Sequence, residues 1–432
     1  MRHLVQYTLL ILPLTILLSR FSSCTSSSSG GGGSVSSQNV SNVYKKEKEV
    51  LHPEYVIFHR TGTISELHFK INSQELLYSK QAGNDKFTAR IQIQYRLISS
   101  YETKDVIDSS TVNLSDVFSN AAKDIIGKID FSATFTNSYV LQVDITDLNR
   151  NVSARTLIAA DKLNHSTRQN FIVLSQKKRT PLFRNTLSKD EYFHVRYRTP
   201  GEKLYVRYYH RDFPLPSSPF LSSNMMPFEY KADSLFTILP DENDTVGFNF
   251  SKPGFYHVQA DTFSKEGLTL FRFDNDFPHV KKPEHLLDPL HYLTEQKEFD
   301  AMASKKNIKA AVDSFWLAAG GDHDRARELI RKFYNRVENS NKYFSSYLEG
   351  WRTDRGLVYI VYGPPNLVYK SSDSENWIYG EENNFNSLSF TFLKVINPFT
   401  DNDYRLERSQ IFKTSWMNAV DMWRQGRVYA EK

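Results

Sequence analysis

In two stretches, about Leu51 to Asp161 and Phe171 to Phe273, runs of apolar side chains fall at every second position, and that spacing decides most of what this chain can become. Leu67, Phe69 and Ile71 alternate with polar neighbours, as do Ile91, Ile93, Tyr95 and Leu97, and again Tyr139, Leu141, Val143 and Ile145. Successive side chains of an extended strand point to opposite faces, so this pattern describes sheets with one buried face and one in water. A second series runs from about Phe171 to Phe273, through Phe193, Val195 and Tyr197, then Leu204, Val206 and Tyr208. Near its end Pro253-Gly254-Phe255-Tyr256-His257-Val258 reads as a turn feeding a strand. At 432 residues the chain exceeds what one core usually holds. Two tandem β-sandwiches, over 51–165 and 166–280, are the economical arrangement.

The run Tyr139-x-Leu141-x-Val143 before a loop is similar to the tyrosine-led strand of immunoglobulin-like sandwiches. Arg211 to Pro227 interrupts the second series with Pro214, Pro216 and Pro219, and its rings Phe213 and Phe220 make it a candidate binding loop. The plainer reading tucks both rings onto the sandwich. Lys281-Lys282-Pro283 marks the next boundary, after which the period changes. Ile308, Ala311, Val312, Phe315 and Trp316 share one helical face that ends at Gly320-Gly321. Asp322 is placed as the N-cap of a second helix carrying Ala326, Ile330, Phe333, Val337, Phe344 and Leu348. Gly350 then falls where a C-capping residue at positive φ is wanted, which would fold Trp351 back onto that helix. Asp354-Arg355-Gly356 reads as a turn, Leu357 to Tyr362 as a β-branched and aromatic strand, and Gly363-Pro364-Pro365 as its stop. Strands near Leu367–Lys370, Asn376–Tyr379, Leu388–Val395 and Tyr404–Ile411 and a turn at Trp416–Trp423 complete an α+β unit over 281–432. The fold expected is therefore mainly β, two tandem immunoglobulin-like sandwiches followed by a helical segment and an antiparallel sheet.

Gly350, Trp351, Thr353 and Asp354 resemble the naming motif of the GWxTD-domain family, found in bacterial envelope proteins, chiefly of the Bacteroidetes group. The flanking residues are similar too: Phe315-Trp316, Tyr334-Asn335-Arg336-Val337, Asp354-Arg355-Gly356, Gly363-Pro364-Pro365 and Trp377. The resemblance covers roughly the last third of the chain and brings no assigned activity, so no catalytic residue comes with it.

The N-terminus speaks to location. Arg2 and His3 precede an apolar run from Leu9 to Leu18, too short to span a bilayer and right for a signal-peptide core over residues 1–23. Cys24, the single cysteine, follows Ser22-Ser23 and resembles the lipidated residue of a loose bacterial lipobox. A free exposed thiol is otherwise a liability in an oxidising envelope. Residues 24–50 are expected to form a tether, beginning with the Ser/Gly tract TSSSSGGGGSVSS of Thr25 to Ser37. That tract lacks the acidic residues that resemble a surface-export signal, so the periplasmic face of the outer membrane is favoured over the cell surface.

The net charge of +5 is small and spread along the chain, which argues against a nucleic-acid partner. A nucleophile triad or a metal cluster needs converging His, Cys or carboxylate groups, and no histidine or cysteine follows His323. His279, His285 and His291 are spaced to sit singly. Gly30 to Gly33 lies in the tether, so no phosphate-cradling loop is read there. Asp354 is expected to cap its turn and bond backbone amides; the functional alternative pairs it with Arg352 or Arg355 to hold a ligand or act as a general base, and arginine neighbours disfavour a base working near neutral pH. Asp373, Glu375, Glu381 and Glu382 are expected in a solvated loop rather than a cation site. The chain is accordingly read as non-catalytic, with no cofactor and no metal: a lipid-anchored scaffold or adaptor that binds another envelope protein or glycan, including the narrower case of an accessory subunit of an outer-membrane secretion or assembly machine. The competing class is an enzyme on cell-wall or polysaccharide substrates using Asp354, Glu375 or Glu382.

Overall fold

A computed structural model describes residues 34–45, 49–80, 85–222, 228–241 and 243–429. The signal-peptide segment, Cys24 and most of the Ser/Gly tract lie outside the described residues. Alternation becomes sheet where it was expected. The first sandwich has strands β1 (Glu54–Phe58), β2 (Ile64–Asn72), β3 (Ser79–Lys80), β4 (Phe87–Ile98), β5 (Val106–Val117), β6 (Asp124–Ser132), β7 (Asn137–Asp147) and β8 (Val152–Lys162). One sheet runs β1-β2-β6; the other runs β3-β4-β7-β8, with β5 paired to β4. Leu67, Ile71, Ile91, Ile93, Leu97, Leu141, Val143 and Ile145 are fully buried in the core. The Tyr139 hydroxyl donates to the Thr134 carbonyl at 3.2 Å, the back-bond by which a tyrosine corner pins the chain entering a strand.

The second sandwich pairs β9 (Phe171–Ser175) with β10 (Phe193–Tyr197). These face a sheet of β11 (Leu204–Tyr209), β12 (Ser234–Ile238), β13 (Gly254–Gln259) and β14 (Leu268–Arg272) in the order β12-β11-β13-β14. Phe193, Val195, Leu204, Val206, Val258 and Leu270 fill its core.

The C-terminal unit opens with α1 (Pro283–Leu287), α2 (Gln296–Ala303), α3 (Ile308–Gly320) and α4 (His323–Phe344). Asp322 caps α4 by accepting from the Arg325 amide, and Gly321 closes α3 at φ 78°. A further helix, α5 (Asp354–Tyr362), leads into the antiparallel meander β15 (Leu367–Lys370), β16 (Ser374–Tyr379), β17 (Leu388–Lys394) and β18 (Tyr404–Leu406), and α6 (Phe412–Arg424) packs back on it. Trp316, Phe333, Phe344, Trp377, Phe390 and Trp423 form one aromatic core between helices and sheet.

Three expectations change. Leu357 to Tyr362 is helix, not strand, and Asp354-Arg355-Gly356 is its first turn. The Thr353 hydroxyl accepts from the Gly356 amide at 3.1 Å, an N-cap that starts the helix, and every residue of α5 is buried. A continuous apolar run carries no period, and burial on all sides overrides the β preference of Val and Ile. Second, α4 stops at Phe344, so Gly350 is not its C-cap and does not have positive φ; it opens a 3-10 turn, Gly350–Arg352. Third, the tether is not a coil throughout. Val35–Ser37 and Ser41–Tyr44 form 3-10 turns with Val35 and Tyr44 buried. The Val40 amide donates to the Val368 carbonyl at 2.9 Å, and Asn39 Oδ1 accepts from the Val368 amide at 3.0 Å, so this strap lies along the edge strand β15.

Candidate functional site

The turn at Gly350 passes so close to α4 that a Cβ there would sit 1.8 Å from the Ser340 carbonyl oxygen. A Cβ on Gly356 would sit 2.0 Å from the Gly350 carbonyl oxygen. Both glycines are therefore required by close approach of backbone to backbone. Thr353 closes the same turn, donating its hydroxyl to the Gly350 carbonyl at 2.8 Å. Trp351 is buried: its amide donates to Asn341 Oδ1 at 3.2 Å, its indole N–H to Glu349 at 3.2 Å, and its carbonyl accepts from the Tyr292 hydroxyl at 2.8 Å. Gly363 ends α5 at φ 89°, with the Arg336 guanidinium packed where a side chain would be, and Pro364-Pro365 then lead into β15.

Asp354 pairs with neither Arg352 nor Arg355. Its carboxylate, at the dipole-favoured first turn of α5, accepts from the Leu406 amide at 2.8 Å and from both Arg408 terminal nitrogens at 2.5 and 3.0 Å. Arg408 in turn donates to the Ser217 carbonyl at 3.1 Å, in the proline-rich loop. Ser409 and Gln410 bond the carbonyls of Pro219 and Phe220, and Arg352 bonds that of Phe213. The loop is thus docked on the C-terminal unit. Phe213 packs on Tyr347 at 5.1 Å and on Phe228 at 6.2 Å, and Phe220 lies half-buried against the aromatic core of the C-terminal unit rather than on its own sandwich.

Arg355 points the other way into a largely buried ionic cluster. It lies 3.1 Å from Glu375, which is fully buried and also takes Lys370 at 2.9 Å, the Tyr44 hydroxyl at 2.7 Å and the Trp377 indole N–H at 3.2 Å. The Arg355 guanidinium is stacked 4.1 Å from the Tyr404 ring and donates to the Asn402 carbonyl at 2.9 Å. Burial pushes the Glu375 carboxyl up, but Lys370 and then Arg355 more than offset it and hold it at about 2. Burial pushes Tyr44 above its ordinary range, and Glu375 adds to the effect. Glu375 is thus not in a solvated loop, whereas Asp373, Glu381 and Glu382 are exposed, Glu382 accepting from Tyr369 at 2.6 Å. The three histidines are separate: His279 bonds Glu338, His285 lies 4.0 Å from Asp274 and His291 packs on Phe299.

Above this cluster is a cavity of about 880 Å³ whose walls come from both sandwiches and the C-terminal unit, with Lys370, Asn402 and Tyr404 shared between cluster and cavity. Arg168 and Asp401 form an ion pair at 2.6 Å across the same junction. The alternation of β16 places Glu375, Trp377 and Tyr379 on its buried face, which was readable from sequence. Tyr44, 331 residues away from Glu375, had no local signal, nor did Arg408.

The family model for the GWxTD domain matches residues 254–425. This chain carries a GWxTD domain. The match begins at Gly254, so it takes in β13 and β14 of the second sandwich together with the helices and the meander. That extent agrees with the contacts through Arg352 and Arg408, which tie the GWxTD motif to that sandwich. No curated protein matches the chain. Among the described residues no helix is long and apolar enough to cross a membrane.

Proposed function

We propose that the protein is a lipid-anchored scaffold or adaptor of the bacterial envelope, of the Bacteroidetes lipoprotein type. In this reading a signal peptide ends before Cys24, acyl chains on Cys24 hold the protein at the periplasmic face of the outer membrane, and the folded body docks another envelope component. The observation that carries the non-catalytic part is how the motif side chains are spent. Asp354 is closed against Arg408 and the Leu406 amide, and Arg355 against Glu375 and Asn402. A carboxylate enzyme needs an acid or base facing its substrate, and Asp354 and Glu375 instead face arginine and lysine. The strap and the proline-rich loop add cross-bracing suited to a body that transmits or presents rather than one that opens.

Purification of the full chain in mild detergent followed by mass spectrometry tests this. The expected result is an envelope protein recovered in near-equal amount. Cleavage of a cell-wall polysaccharide by the purified chain alone, lost in Glu382→Gln, would overturn it.

A further inference from the structure

Beside the GWxTD motif, where the second sandwich meets the segment 347–352 that follows α4, lies a separate cavity of about 460 Å³. That is within the size range of small-ligand pockets, which favour domain junctions. Its wall includes Arg272, at the end of β14, which is 3% exposed. The Arg272 terminal nitrogens bond only the Phe273 carbonyl and the Asn275 side chain, and Nε has no partner. Among the described residues no carboxylate pairs with it. An arginine cannot shed its charge, and a buried charge without a counter-ion is costly.

Three further cations, Arg352, Lys189 and Arg211, line the cavity. Arg352, from the motif, spends one nitrogen on exposed Asp212 and the Phe213 carbonyl, and its Nε is also without a partner. Lys189 stands exposed at the cavity. Arg211 is already neutralised by Asp233 at 2.7 Å. Both carboxylates in the lining have partners of their own: Asp274 is held by Lys282 at 2.6 Å, and Glu349 accepts from the Trp351 indole N–H at 3.2 Å. The half-buried rings of Phe213, Phe273 and Tyr347 supply flat apolar walls.

We propose that this cavity binds an acidic sugar, its carboxylate or phosphate received by Arg272 and Arg352 and its ring flanked by the aromatic walls. Guanidinium groups match the two oxygens of such anions, and aromatic faces pack against the C–H face of a sugar ring. The anion site stands on the geometry alone; the choice of a sugar as its carrier rests on the envelope reading above.

Thermal melts of the full chain in detergent, at matched ionic strength, test it with four probes: glucuronate, glucose 6-phosphate, inorganic phosphate and glucose. The expected result is a saturable rise in Tm with glucuronate or glucose 6-phosphate, whichever anion the site prefers, and none with glucose. Arg272→Gln should abolish the rise, and the surface change Lys189→Glu, which leaves the core intact, should weaken binding at least about tenfold. A rise with inorganic phosphate equal to that with the sugars would overturn the sugar assignment. No saturable rise with any anion, or one unchanged in Lys189→Glu and Arg272→Gln, would overturn the site. Partner recovery is measured separately, so the adaptor reading can fail while the site stands.

Discussion

Glu375 shows how much of this domain rests on single side chains. Its carboxylate is fully buried between Arg355 and Lys370, and replacing it by Gln leaves two cations facing each other without a counter-charge. Breaking a buried pair in this way costs about 3–5 kcal/mol, so Glu375→Gln should sharply lower the denaturation midpoint at neutral pH. The sign with pH follows from a folded-state pKa near 2, below the ordinary glutamate range. Stability from Glu375, on the order of 3 kcal/mol, is present above about pH 4.5 and is lost as pH falls through about 2. The gap between parent and Glu375→Gln in denaturant titrations should therefore close in acid; a gap constant down to pH 2 would contradict the cluster. Gly350 makes a second prediction. Its Cβ position falls 1.8 Å from the Ser340 carbonyl, so even Gly350→Ala should cost about 3 kcal/mol or more by thermal melt. A variant melting within about 0.5 kcal/mol of the parent would mean the backbone relaxes freely there.

Among the elements, the N-terminal strap is the least expected. Tyr44 inserts among Tyr343, Phe344 and Trp377, and its hydroxyl donates to Glu375 at 2.7 Å. Tyr44→Phe removes a buried hydrogen bond to a charged group and should cost about 2 kcal/mol in chemical denaturation. It should also make the strap easier to cleave by protease between Ser34 and Lys45, while unchanged cleavage would show the strap held by its backbone bonds alone. Sequence reading found what a local period encodes. The inward faces of β2, β4 and β7, the caps of α3 and α4, and the meander were legible because alternation, Asp322 and Gly321 are local signals. The helix α5 carries no period of its own, because an unbroken apolar run looks the same buried as helix or as strand; the local signal for it is Thr353, whose hydroxyl caps the Gly356 amide. The ionic partners were not legible. Tyr44 and Glu375, and Asp354 and Arg408, are brought together only by tertiary packing, at separations of 331 and 54 residues. Of the acidic residues clustered in sequence from Asp373 to Glu382, Glu375 lies on the buried face of β16, whereas Asp373, Glu381 and Glu382 lie outside the strand and are exposed.

For the whole molecule, anchoring and bracing are separable claims. Metabolic labelling with a fatty acid analogue should mark the parent and not Cys24→Ala; label persisting in the variant would remove the anchor from the account. The bracing claim is that the GWxTD motif closes the fold and ties the domain to the second sandwich, with Asp354, Arg408 and the Ser217 carbonyl as consecutive links. An Asp354 that merely capped a turn would lose about 1–2 kcal/mol on change to Asn. The buried two-point pairing with Arg408 raises the expected loss to about 3 kcal/mol or more. A double-mutant cycle of Asp354→Asn and Arg408→Gln, read by equilibrium denaturation of the full chain alongside partner recovery, addresses this most directly. The expected result is a coupling of about 1.5–3 kcal/mol, with partner recovery falling only as far as the folded fraction falls. Negligible coupling, together with a fully folded Asp354→Asn that no longer recovers the partner, would place Asp354 in a working site and contradict the structural role.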